Sequence, residues 1–166
     1  MSNGTLLGAT PLVALLKLLA DARATGKRIV FTNGIFDLVH TGHIRYLRAA
    51  RALGDVLVVG VNSDESTRKL KGESRPILPQ SERVKIIAAL EPVDYVAVFA
   101  EDTPLKLIEA VAPDVLVKGN DYTLDEIVGR NEVECRGGRV VTVPLVDGKS
   151  SSNVVERIVR SASNTD

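Results

Sequence analysis

The sequence predicts an α/β fold: a doubly wound parallel sheet of about five strands with helices on both faces. Short β-branched runs such as Ile29-Val30-Phe31 and Val56-Leu57-Val58-Val59 are apolar throughout, the pattern of strands buried on both faces. Segments with helical apolar spacing separate them, so successive strands are joined by crossovers and run parallel. Polar turns then follow the first, fourth and fifth strands, all at the carboxyl edge, where doubly wound sheets hold their ligands.

Residues 1–9 read as a loose tail. Pro11 to Ala24 reads as an amphipathic helix with Leu12, Leu15, Leu16 and Leu19 on one stripe, ended by Thr25-Gly26. Arg28 to Thr32 is the first strand, and Asn33-Gly34 opens the turn after it. Thr41 is the expected cap of a second helix carrying Ile44, Leu47, Ala50 and Leu53 on its inner face, with Gly54 as its stop. His40 and His43, the only histidines in the chain, therefore sit at the mouth of a strand-to-helix turn.

That position gathers unpaired backbone N–H groups and the positive end of a helix dipole, so it attracts anions before any side chain acts. Gly42 lets a phosphate approach the backbone, and two imidazoles can donate hydrogen bonds to charge developing on phosphorus oxygens. The chemistry indicated is phosphoryl or nucleotidyl transfer. Two other readings compete: structural histidines, or a zinc site. Zinc needs a third ligand, and the single Cys135 lies elsewhere without a Cys-x-x-Cys.

Asp55 to Val61 is the second strand. From Ser66 to Gln80 no apolar period survives, and a polar loop is expected, with Lys71 or Arg75 able to bring charge to a phosphate chain or simply to be solvated. Pro79 to Leu90 forms a helix with Val84, Ile87 and Ala88 inward and Arg83 as a surface partner for Glu82 or Glu91. A third strand follows over Asp94 to Phe99, then a helix over Leu105 to Val111 behind Thr103-Pro104.

Val115-Leu116-Val117 is the fourth strand. It ends in Lys118-Gly119-Asn120-Asp121-Tyr122, where Lys118 can meet phosphate and Asn120 and Asp121 can hydrogen-bond a ribose or a base edge. Two short helices fill 124–138 before the last strand, Arg139 to Val143. The turn through Gly148-Lys149-Ser150-Ser151-Ser152 then leads to a helix bearing Val154, Val155, Ile158 and Val159, with a tail expected over 161–166. Gly-Lys-Ser resembles the end of a P-loop, but Val143 stands where that motif needs glycine. Helix capping is the alternative role of these serines.

Length and composition bound the rest. A chain of 166 residues that is 45% hydrophobic fits one domain with a single core. Basic and acidic side chains balance at 21 each, so a broad nucleic-acid footprint is absent. Aromatics at 4% and no tryptophan exclude a base-stacking platform. One cysteine, no long apolar run and no secretory leader make a cytoplasmic protein with no membrane partner the expectation.

The run Gly34-x-Phe36-Asp37-x-x-His40-x-Gly42-His43 resembles the His-x-Gly-His signature of the cytidylyltransferase-like nucleotidyltransferase superfamily, whose fold is Rossmann-like. Over about residues 27–160 the chain is most similar to the branch that makes ADP-heptose from heptose 1-phosphate. The resemblance implies His40, His43 and Lys71 as catalytic residues. It implies Thr32, Asn33, Gly34, Phe36, Asp37, Gly42, Lys118, Asn120, Asp121, Lys149, Ser150, Ser151 and Ser152 as nucleotide contacts, and Asp37 and Arg83 as acceptor contacts.

Several departures are visible. Asn120 stands where the heptose branch has a glycine, a mild change even if positive φ is required; Asp147 stands for the acid of the segment before the last helix and Ser151-Ser152 for its two threonines; and an arginine found near that segment in the cytidylyltransferase branch is missing, which leaves Lys149 as the local cation. The implied reaction is transfer of AMP from ATP to a sugar 1-phosphate, with Mg²⁺ carried by the phosphates, a sugar kinase supplying the acceptor and a homodimer as one assembly. Rival readings are a cytidylyltransferase acting on glycerol 3-phosphate or another small phosphate, and a nucleotide-binding regulatory module without turnover.

Overall fold

The computed structural model describes residues 8–144 and 151–163. In chain order the elements are α1 (Leu12–Ala24), β1 (Ile29–Gly34), α2 (Thr41–Arg51), β2 (Val56–Asn62), α3 (Asp64–Lys71), α4 (Gln80–Ala88), β3 (Tyr95–Phe99), α5 (Leu105–Val111), β4 (Val115–Gly119), α6 (Arg130–Cys135), β5 (Arg139–Val143) and α7 (Ser151–Ser163), with a 3₁₀ turn at Leu124–Glu126. The five strands form one parallel sheet in the order β3-β2-β1-β4-β5. The order reverses between β1 and β4, which places the topological switch point, and the crevice it opens, at the ends of those two strands.

Side chains alternate across the sheet into two cores. Val30, Leu57, Val59 and Val61 meet Tyr46, Leu47 and Ala50 of α2 and Val84 and Ile87 of α4 on one face. Ile29, Phe31, Val56 and Val58 meet Leu15 and Leu19 of α1 and Leu107, Ile108 and Val111 of α5 on the other. The apolar runs in the sequence are uniform because both faces are covered.

The two edges of the sheet are built differently. At the amino edge an aspartate precedes each of β2, β3 and β4, and its carboxylate accepts a backbone N–H at or just before the start of a neighbouring strand: Asp55 from Arg28, Asp94 from Leu57 and Asp114 from Ile29, at 2.7–2.8 Å. These carboxylates satisfy that edge internally. Gly54, the expected helix stop, instead permits close packing, because a Cβ there would lie 2.6 Å from Val30 Cγ2 and 2.9 Å from the Arg28 carbonyl.

Three expectations change. Residues 64–71 are helical, not loop: Ser63 accepts from the Ser66 N–H, Asp64 and Glu65 occupy the first turn, Arg68, Lys69 and Lys71 the last, and Gly72 at φ 94° ends it. The apolar period fails because the buried side of α3 is polar, made of Ser66 and Thr67, which bond Asn62 and the Ser63 carbonyl. The tail expected from 161 is helical through Ser163, with Ser161 and Ser163 bonded back to the carbonyls of Arg157 and Val159. Asn120 is not among the described residues with positive φ, so the glycine replacement carries no backbone strain.

Candidate active site

A cavity of about 600 Å³ opens at the carboxyl edge across the switch point, floored by the ends of β1 and β4. Its lining includes Asn33, Gly34, Phe36, Asp37, His40, Gly42 and His43 from the first turn, Lys118 and Asp121 from the β4 turn, and Ser151 and Ser152 from the start of α7. Segments far apart in sequence thus meet in one place.

His40, not Thr41, is the N-cap of α2. Its Nδ1 accepts from the Gly42 N–H at 3.1 Å, and His43 Nδ1 accepts from the His40 N–H at 3.3 Å. The imidazoles thereby take the reciprocal roles that Ser and Glu play in a capping box. In a neutral ring an accepting Nδ1 leaves the proton on Nε2, so the tautomer of both histidines is set by the helix N-terminus. The rings lie 4.0 Å apart between centroids, and Phe36 packs 5.5 Å from His43. Burial, reinforced by the charge of His40, pushes the His43 pKa down to about 4, so His43 is neutral at pH 7.

The turn between β1 and α2 is held in an unusual shape. Phe36 and Leu38 have φ of 52° and 54°, a region that costs non-glycine residues about 1 kcal/mol or more. Between them Asp37 is 4% exposed, and its carboxylate accepts from Arg75 at 2.7 Å and from the N–H groups of Ile77 and Leu78 at 2.8 and 3.0 Å. The Asp37 carbonyl accepts from the Ser151 hydroxyl. Asp37 therefore ties the connector after α3 and the start of α7 to the histidine turn.

Arg83 is fully buried, which overturns its surface reading. It donates to the Leu78 carbonyl at 3.0 Å, the Ile35 carbonyl at 2.6 Å and Asp64 at 2.7 Å. It does not line the cavity; it holds the same connector through the Leu78 carbonyl. Thr32 is likewise fully buried and off the cavity, bonded at 2.7 Å to the Tyr46 hydroxyl. Asn120 also lies off the lining, its N–H donating to the Val143 carbonyl at 3.0 Å. Lys149 and Ser150 fall outside the described residues.

Lys71, at the end of α3, and Arg75 bring positive charge to the rim. Lys118 lies deeper, its Nζ donating to Asn33 Oδ1 and sitting 5.8 Å from the Tyr122 ring centroid. Burial pushes its pKa down to about 8, partly offset by Asp121. The far side of the cavity, beyond β2 and β3, is lined by Asn62, Leu70, Asp102 and Thr103, none of them among the candidate site residues read from the sequence. Thr103 carries only a helix-start signal, and Asn62 only a strand-end signal. Among the described residues no group of three or more His, Cys, Asp or Glu side chains is arranged to hold a metal ion.

Fold and site together define a doubly wound α/β domain whose switch-point cavity brings a helix N-terminus and the part-buried Lys118 to face each other. The chain belongs to the cytidylyltransferase-like family, whose model matches residues 31–157. It is 59% identical over 143 residues to the Bifunctional protein HldE of Geobacter sulfurreducens and 55% identical over 143 residues to that of Citrifermentans bemidjiense, in each case covering 86% of this chain. The chain spans 29% of the length of those curated relatives. Among solved structures, the lipopolysaccharide core biosynthesis protein of Thermoplasma volcanium is similar at 33% identity and a TM-score of 0.61, over 75% of this chain and all of that one. The pantoate-beta-alanine ligase of Francisella tularensis shares the fold at 15% identity and a TM-score of 0.58, over 92% of this chain and 78% of that one.

Proposed function

We propose that this domain transfers AMP from ATP to a sugar 1-phosphate, with D-glycero-β-D-manno-heptose 1-phosphate as the acceptor, and releases pyrophosphate. The observation that carries the reading is the pair of Nδ1-accepting imidazoles at a helix N-terminus, facing the same cavity as Lys71 and Lys118. The identity to HldE proteins and the likeness to a lipopolysaccharide core biosynthesis protein support a sugar acceptor, since activated heptose is a precursor of such surface polysaccharides.

The acceptor's phosphate oxygen attacks the α-phosphorus in line as the bond from that phosphorus to the bridging oxygen of pyrophosphate breaks. The attacking phosphate is already ionised at pH 7, so the protein needs neither a nucleophile nor a general base, and catalysis is positioning plus charge stabilisation. His43, neutral with its proton on Nε2, donates to the charge that grows on the α-phosphate, and His40 acts beside it. Lys118 and Lys71 neutralise the phosphate chain from two sides. The nucleotide lies on the β4 side, with Asp121 toward the ribose or base and Ser151 and Ser152 toward the β- and γ-phosphates. The acceptor then lies toward β2 and β3, where Asn62, Asp102 and Thr103 offer hydrogen bonds to sugar hydroxyls.

Asp37 is committed to Arg75 and two backbone amides, and the Glu126 carboxylate to Thr123, so these carboxylates are poor candidates for a protein-held ion. The donor set fits a Mg²⁺ bound mainly by the phosphates of ATP, where it would neutralise charge on the leaving group. A sugar kinase acting at the anomeric oxygen would supply such an acceptor.

The test is pyrophosphate release from ATP with heptose 1-phosphate, run beside CTP with glycerol 3-phosphate. Release in the first mixture alone is expected. Release only in the second would overturn the substrate assignment, and nucleotide binding without release in either would favour a regulatory module.

A further inference from the structure

Tyr46 has nothing in its sequence context to single it out, yet it occupies the switch point. The β1–β2 ladder runs over six residue pairs from Ile29 to Gly34, whereas β1 and β4 pair only at Val30↔Val115 and Phe31↔Leu116. From Thr32 onward the two strands part, and the cavity begins above the gap. The Tyr46 side chain enters there from α2. Its hydroxyl donates to the Val117 carbonyl at 3.2 Å and lies 2.7 Å from Thr32 Oγ1, so Thr32 supplies the proton of the second bond.

We infer that Tyr46 is a positioning residue for nucleotide binding, one whose hydroxyl bridges β1 and β4 where their ladder stops and thereby fixes the spacing between Asn33 and Lys118. These two residues directly follow Thr32 and Val117, line the cavity and bond each other across the gap. Without the hydroxyl, the buried Val117 carbonyl and Thr32 hydroxyl lose their shared partner, and the strand ends are free to settle at another separation. The ammonium of Lys118 then moves relative to the phosphates. The inference rests on the nucleotidyl-transfer reading above; Tyr46 itself lines the cavity, and its hydroxyl, bonded to Thr32 and to the Val117 carbonyl, is assigned to act through Lys118.

The test is a double-mutant cycle read by calorimetric affinity for ATP, with melting temperature followed in parallel. Tyr46→Phe keeps the ring and is expected to weaken ATP binding about tenfold, while in a Lys118→Met background the same change costs less than about twofold. The shift in melting temperature should be alike in both backgrounds. Thr32→Val removes only the β1 half of the bridge and should give a smaller loss, again confined to proteins that retain Lys118; it carries the test if Tyr46→Phe does not fold. Unchanged ATP affinity in Tyr46→Phe, or an equal loss in both backgrounds, would overturn the inference. A parent protein that binds no ATP would instead sink the adenylyltransferase reading, and this inference with it.

Discussion

At the scale of single residues, His43 shows how one side chain serves two ends. Its Nδ1 satisfies a backbone N–H that would otherwise be unpaired at the start of α2, and that bond fixes which nitrogen can donate. Replacing it by alanine is expected to lower turnover about a hundredfold or more while ATP affinity falls modestly, because a donor aimed at transition-state charge is worth roughly 3 kcal/mol. Steady-state kinetics on folded His43→Ala checks this; unchanged turnover per folded molecule would assign the ring to capping alone. The lowered pKa adds a pH prediction. With a folded pKa of about 4 against 6.5 for an unperturbed histidine, the unfolded chain binds the proton first, so the stability tied to neutral His43 is complete above about pH 6.5 and is lost as pH falls toward 4. Melting curves across that window should show a shallower acid slope in His43→Gln than in the parent.

At the scale of elements, the connector between α3 and α4 is held by two buried side chains, Asp37 through the Ile77 and Leu78 N–H groups and Arg83 through the Leu78 carbonyl. Arg83→Met fills similar volume but leaves the Ile35 and Leu78 carbonyls without the guanidinium donor and Asp64 with the Gln80 N–H alone. A loss of about 3 kcal/mol in unfolding free energy is expected from denaturant titration. Lys71 sits one residue before this connector and is exposed, so Lys71→Ala should cost no more than about half a kcal/mol in stability while raising the KM for ATP or for the acceptor. Kinetics indistinguishable from the parent would return Lys71 to the solvated surface. The contrast between the two cations follows from burial: one is built into the fold and the other is available to a ligand.

At the scale of the whole molecule, the site exists only when turns after β1 and β4 and the start of α7 come together, and α7 buries none of its own residues. A triphosphate reaching from Lys118 to Ser151 and Ser152 would therefore stitch α7 to the sheet. Replacing both serines by alanine is expected to lower ATP affinity while AMP affinity stays, because AMP lacks the groups they would contact. If they only cap the helix and bond the Asp37 carbonyl, both affinities stay and the cost is about 1 kcal/mol of stability per hydroxyl. Calorimetry with the two nucleotides on the double variant separates the outcomes.

The sequence by itself determined most of the elements and marked the first turn as a candidate anion site. Uniform apolar strands require cover on both faces, helical segments between them require parallel crossovers, and two histidines flanking a glycine at a strand-to-helix turn suit an anion. The first helix, the five strands and the turns after β1 and β4 were legible because each is a local pattern. α3 was not, since its buried face is Ser66 and Thr67 and polar contacts leave no apolar period, although the Ser63 cap and Gly72 stop were there to be found. Tertiary structure alone decided the rest. Nothing near Arg83 in the chain foretells that Ile35, Leu78 and Asp64 will surround it, and nothing near Phe36 and Leu38 foretells positive φ in residues that are neither glycine nor asparagine. Tyr46 lies off the inner stripe of Ile44, Leu47, Ala50 and Leu53 and carries no signal until its hydroxyl meets Thr32 and the Val117 carbonyl. A local sequence specifies the backbone hydrogen bonds of its own segment. Which distant carbonyl or carboxylate a buried polar side chain will meet is fixed by how the segments pack.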